Sequence, residues 1–152
     1  MVEGKTKSTA NLPFTVLLIC MVVAIVLLAG SGTPDTELSN ISNGKSEKIR
    51  LEIADDDFSR MRGLMFRPKT VPILFVFDSE DIHPIHSNFV KQEFDAVYLS
   101  EGKGVMEIFR KIPPNTKLVT PTKKASFLLE LPCEMTDRLG IKVGDKLSWE
   151  KG

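Results

Sequence analysis

Apolar residues fall into two regimes along this chain, one long unbroken run near the N-terminus and then a series of short clusters. Between Phe14 and Ala29 the sequence reads FTVLLICMVVAIVLLA, with Thr15 as its sole polar side chain, and the apolar character extends from Leu12 to Gly30. A helix of that length is roughly 28 Å long, close to the ~30 Å hydrocarbon core of a bilayer. A helix apolar on every face belongs in a membrane or inside a large protein. In a small chain the expectation is a transmembrane anchor over 14–30, or a signal segment cleaved at the small residues near Ser31. Lys5 and Lys7 precede the run while Asp35 and Glu37 follow it. By the positive-inside rule, residues 1–13 are then cytoplasmic and the rest lies outside a cell membrane crossed once. Residues 31–47 are rich in Ser, Gly, Thr and Asn without an apolar period, which reads as a flexible tether. Asn40-Ile41-Ser42 within it matches a glycosylation acceptor, a short pattern of low specificity.

The clusters beyond the tether predict an exported β domain over 48–152. Ile49, Leu51 and Ile53 alternate with Arg50 and Glu52, the period-two pattern of a strand with one wet face. A short helix follows at about 55–62, with Asp55 as N-cap, acids in the first turn, Arg60 and Arg62 in the last, and Gly63 as terminator. Phe58 and Met61, three residues apart, share a face that would pack on the sheet. Ile73 to Phe77 is a continuous apolar run with the length of a buried strand. Further strands are expected over Ile85–Val90, Phe94–Leu99, Val105–Ile112 and Ser126–Leu131, separated by Gly- and Pro-containing turns. A short helical stretch over Thr136–Leu139 and then a turn and closing strand over Gly140–Leu147 come last. The fold class is mostly β: a compact β-sandwich or barrel with one short helix, preceded by the transmembrane helix.

Twenty basic and twenty acidic side chains in 152 residues leave no net charge, and no basic block exists to track a phosphate backbone, which excludes nucleic acid as a partner. With two cysteines, one of them Cys20 in the apolar run, no disulfide framework is expected.

The order of several segments adds to this reading. Arg60-Met61-Arg62-Gly63-Leu64-Met65-Phe66-Arg67 is followed by Leu74-Phe75-Val76-Phe77, by Ile85-His86 with Phe89-Val90, and by Asp95 in an apolar strand. Leu129-Glu130-Leu131 and Gly140-Ile141 with Gly144-Asp145 come after. Over nearly all of Ile49 to Trp149 this resembles the prokaryotic family catalogued as domain of unknown function 192. The resemblance implies a compact β-sandwich or barrel with a small helix, often exported or anchored, and without an established activity. The chain departs from the family pattern at Pro72, where a Gly is common, at Glu93, where a Pro is usual, and at Glu134, where a Gly is usual.

Candidate chemistry is sparse. His83 and His86 form a His-x-x-His pair, but Pro84 argues against a helix, and a strand would send the two imidazoles to opposite faces, so no metal site is expected. Arg62 and Arg67 flank Gly63 and have the fork geometry to clamp a carboxylate or phosphate. Alternatively, Arg62 complements its helix dipole while Arg67 pairs with Asp95, whose place among Val97 and Leu99 demands a cationic partner. Cys133 has no neighbouring base in sequence to activate it. Nucleophile elbows, phosphate loops and dinucleotide fingerprints are absent, and no cofactor is implied. The expected role is a membrane-anchored extracytoplasmic module that binds a protein, glycan or small molecule without catalysis. The alternative is an acid/base enzyme using His86 and Asp95, with Arg62 and Arg67 as anion holders.

Overall fold

The computed structural model describes residues 35–151. In chain order they form β1 (Asp35–Asn40), β2 (Lys45–Arg50), β3 (Glu52–Ala54), α1 (Asp57–Arg62), β4 (Ile73–Asp81), β5 (Phe94–Leu99), β6 (Val105–Ile112), β7 (Ala125–Leu131), α2 (Cys133–Arg138) and β8 (Leu147–Lys151). The fold is therefore mostly β with two short helices, the second starting at Cys133, three residues before the helical stretch expected over Thr136–Leu139. Among the described residues no helix is long and apolar enough to cross a membrane. The 14–30 segment on which the membrane anchor was placed lies outside the described residues, so the fold class is corrected to one without a supported transmembrane helix.

Two sheets share one apolar layer. The smaller has the order β2-β1-β8 and the larger β3-β4-β7-β5-β6, with β3 parallel to β4 and the other pairs antiparallel. Leu38, Ile49 and Leu147 from the small sheet meet Leu74, Val97, Leu99, Leu129 and Leu131 from the large one. Met135 and Leu139 from α2 and the residue after it join that cluster. Alternate residues of the same strands, Ile73 and Phe75, Ala96 and Tyr98, and Leu128, point to the opposite face of the large sheet and build a second cluster. Side-chain alternation along a strand requires this division. Every residue of β5 is buried, because a strand between two apolar layers has no wet face.

From Asp35 onward the stretch read as a tether is part of the fold. β1 is the middle strand of the small sheet, and Thr36, Leu38 and Asn40 are its inward residues. The period of two is present in the sequence, but two of the three inward side chains are polar, which hides it. Asn40 is fully buried, and its amide Nδ2 donates to Leu139 O at 3.2 Å and to Asp145 Oδ2 at 2.8 Å. An amide so engaged is no glycosylation acceptor in the folded domain. The strand expected over Ile49–Ile53 changes sheet at Leu51, ending β2 in the small sheet and starting β3 in the large one. Ile85–Val90 is not a strand. Only Ile85 pairs, as an isolated bridge with Val119, and Phe89 adopts φ 60, which regular strands do not accommodate.

Candidate functional site

The first helix starts one residue later than the acidic run suggested. Asp56, not Asp55, is the N-cap, accepting from the N–H groups of Phe58 and Ser59 at 2.9 and 3.0 Å while Ser59 Oγ closes a reciprocal box. These bonds hold the Asp56 carboxyl below its usual range, the Ser59 N–H contributing most. Gly63 then reverses the chain with φ 41, and it must be glycine on two counts. Its conformation strains any L side chain, and a Cβ there would stand 3.2 Å from Cζ of Phe75. Phe58 and Met61 do not pack on the sheet as expected, since both face solvent, 66% and 67% exposed.

After Gly63, Leu64 is buried in the second cluster and Phe66 turns outward. Phe66 and Phe89 both hold left-handed backbone, with φ 61 and 60, and Phe66 N–H donates to Phe89 O at 3.1 Å. Their rings stack at 4.9 Å between centroids while remaining largely exposed. Two non-glycine residues in that region carry backbone strain, and such strain gathers at ligand clamps and active sites.

Between this segment and the β4–β5 connection lies a cavity of about 150 Å³. Met61, Leu64, Met65, Ile85 and Val90 supply apolar walls, Phe75 and Glu130 come from the large sheet, and Arg62 and His86 stand at the polar side. Glu130 is only 4% exposed. It lies in β7 directly between Ile73 of β4 and Ala96 of β5, and the small Ala96 side chain leaves room beside it. Its Oε2 is buried without a hydrogen-bond partner. Burial pushes its pKa from 4.5 up to about 8, opposed only by the Arg67 guanidinium. An unpaired buried carboxyl keeps its proton rather than bear an uncompensated charge. Near pH 7 the cavity floor is thus a neutral carboxylic acid. Tyr98, on the same face, is pushed well above its ordinary range by its own burial and then by the Glu130 charge. Its hydroxyl donates to His83 O at 2.8 Å.

The four residues singled out from sequence divide between two places. Arg62 and His86 line the cavity. Arg67 stands behind it, donating from Nη1 and Nη2 to Glu52 Oε1 and Oε2 at 2.7 and 2.6 Å and from Nε to Gly63 O at 2.9 Å. Arg62 Nη2 reaches the same carboxylate only at 3.9 Å. Asp95 belongs elsewhere. It is buried on the opposite face of β5, where Arg110 Nη1 donates to it at 3.1 Å and Lys111 N–H at 2.7 Å. Asp95 does have an arginine partner, but it is Arg110 and not Arg67, and His86 and Asp95 cannot act as an acid/base pair across the sheet.

The remaining candidates are accounted for locally. His83 stacks on Phe77 at 3.6 Å, so it does not share the cavity with His86. Among the described residues, no three His, Cys, Asp or Glu side chains are grouped to hold a metal ion. Burial, and then Asp95, pushes the Cys133 thiol up to about 11, so it is not poised as a thiolate. The residue missed from sequence is Glu130. Its signal was a single carboxylate inside Phe127-Leu128-Leu129-Glu130-Leu131, where alternation sets it on a buried face with Leu128.

Two sheets around a common core, two short helices and a cavity floored by a buried acid define a small mostly-β domain. The chain belongs to the domain of unknown function 192 family, described as an uncharacterized ACR, whose sequence profile matches residues 39–149. It is similar to a UPF0127 protein of Pyrococcus furiosus, 28% identical over 114 residues that cover 74% of this chain and 97% of that protein. A UPF0127 protein of Thermococcus sibiricus is 32% identical over 116 residues, 74% of each chain. In fold it matches a protein of unknown function from Novosphingobium aromaticivorans, with a TM-score of 0.66 and 24% identity over 76% of this chain and 84% of that one.

Proposed function

We propose that this domain is a binding module and that the cavity between α1 and the β4–β5 connection is its ligand site. The observation that carries this reading is Glu130. A carboxyl group with an unpartnered buried oxygen costs the fold a few kcal/mol, a cost expected where a polar group is kept for a ligand rather than for packing. Three further features support it: apolar walls with few polar groups, as small-molecule sites have; the strained Phe66–Phe89 pair next to lining residues Met65 and Val90; and the outward-facing Phe58 and Met61. A second reading, general acid catalysis by Glu130, is favoured by its pKa of about 8, near an ordinary working pH. Binding is preferred because no second acid, base or nucleophile is hydrogen-bonded to Glu130 Oε2.

A thermal-shift screen of the full chain against fragments of about benzene size, the volume class of this cavity, tests the proposal. A fragment at a hundred times its dissociation constant should add about 2.7 kcal/mol of stability, and Met65→Trp, which fills the cavity from its half-exposed wall, should abolish that gain. Stabilisation that survives Met65→Trp would place binding elsewhere and sink the assignment.

A further inference from the structure

Charge bookkeeping around the cavity narrows the ligand further. Arg60 also lines it, but its guanidinium is spent on Asp57 at 2.8 Å, Asp78 at 3.1 Å and Val76 O at 2.8 Å. Arg62 and Arg67 have one carboxylate between them, Glu52, and Arg67 occupies both of its oxygens. Arg62, whose side chain is 54% exposed, reaches Glu52 only at 3.9 Å, so its guanidinium stands at the cavity wall with donors left for a ligand. The sole acid in the lining is Glu130, which holds its proton near neutral pH and so offers a hydrogen-bond donor, not a negative charge. His86 Nδ1 accepts from the Asn88 N–H at 3.4 Å, which leaves Nε2–H as the ring's donor. The polar groups of the cavity are thus donors and a cation, set against walls of Met, Leu, Ile, Val and Phe.

From this arrangement we infer that the site takes a small organic monoanion, a carboxylate with an apolar body of about benzene size, held by Arg62 and by the buried, unpartnered carboxyl group of Glu130. The inference rests on the ligand-site reading above and adds the chemical class. The apolar body fills the volume, about that of cavities known to admit benzene, and the anionic end accepts from the guanidinium and from the acid O–H. Such charge-assisted bonds are roughly twice as strong as neutral ones. A cation would face Arg62 without a counter-charge, and a large polyanion would leave the apolar walls unfilled.

Binding should also be linked to the proton on Glu130. Once Glu130 ionises, its charge and that of the ligand repel each other at short range, so affinity should fall about tenfold per pH unit above its titration. The charged or titratable groups around Glu130 are Arg67 behind the α1 loop, Arg60 and Arg62 on α1, His86 on the β4–β5 connection and Tyr98 on β5. The arginines stay charged throughout, and Tyr98 is raised beyond this range. His86 is controlled for by His86→Asn.

The experiment is a titration of the full chain, followed by NMR, with benzoate, benzylamine and benzyl alcohol at pH 7 and pH 9. Benzoate should bind most tightly at pH 7 and weaken by about tenfold at pH 9, with the same loss in His86→Asn. Arg62→Gln should weaken benzoate by five-fold or more while leaving benzyl alcohol unchanged. Glu130→Gln, which keeps a neutral donor at the floor, should bind benzoate at both pH values alike. Tighter binding of benzylamine or benzyl alcohol than of benzoate, or benzoate affinity indifferent to Arg62→Gln, would overturn the monoanion and leave the ligand site standing. No binding of any of the three at millimolar concentration would overturn both.

Discussion

Asp95 shows how a single residue's chemistry can be foreseen while its partner is not. An aspartate inside an apolar strand must be neutralised or hydrogen-bonded, and the structure supplies both, from Arg110 and the Lys111 N–H. Arg110 was not identifiable in advance because the β5–β6 pairing contains register shifts on either side of Ala96 to Tyr98, which a period-two count cannot place. Arg110 also donates to Asp137 and Ile141 O, tying β6 to α2 and the loop after it. Breaking a buried ion pair costs about 3 to 5 kcal/mol, but Arg110 is 39% exposed and solvent offsets part of this, so Arg110→Ala should cost about 1 to 3 kcal/mol. In denaturant melts, Arg110→Ala and Asp95→Asn should couple by roughly 1 kcal/mol or more, whereas Arg67→Ala and Asp95→Asn should be additive to within about 0.5 kcal/mol. Coupling of Arg67 with Asp95 would mean that the two faces of the sheet are wrongly assigned.

At the level of elements, strands with apolar inward residues were legible and those with polar ones were not. Phe94–Leu99 and Val105–Ile112 were predicted with their observed bounds, since each is a dense run of β-formers between turn signals. β1 was read as tether because Thr36 and Asn40 share its inward face with Leu38 alone. The Ile85–Val90 stretch, equally apolar, is a loop because Phe89 is left-handed and Ser87 is bound to Pro113 O, Thr116 O and the Thr116 and Asn115 N–H groups. These are long-range contacts without a local signature. The misread tether carries a test. A fragment starting at Lys48 lacks β1, and with it Leu38 from the core and the Asn40 bonds to the α2 end and Asp145, so it should be unfolded by circular dichroism. A fragment starting at Thr33, where the compact unit begins, should give a cooperative melt. A folded fragment from Lys48 would show that the small sheet is dispensable.

For the molecule as a whole, fold and site are linked through Glu130, which β7 carries into the second cluster between β4 and β5. Of the four residues singled out from sequence, Arg62 and His86 line the cavity, and its floor went unnoticed because a lone glutamate in an apolar strand reads equally as an edge position. Its proton ties stability to pH. Below about pH 4.5 the carboxyl is protonated whether the chain is folded or not, and no penalty arises. Between about 4.5 and 8 the unfolded chain releases a proton that the folded one retains, so stability falls as pH rises. A shift from 4.5 to about 8 corresponds to at most roughly 5 kcal/mol at 1.36 kcal/mol per pH unit.

The most direct test of this account is a carbon-13 titration of the glutamate side-chain carboxyls, with the Glu130 resonance assigned by its loss in Glu130→Gln. The Glu130 carboxyl should stay protonated through neutral pH and titrate near 8, well above the ordinary glutamate range. A Glu130 resonance that titrates in the ordinary glutamate range would show a solvated or paired carboxylate at that position, and would contradict both the neutral cavity floor and the ligand chemistry built on it.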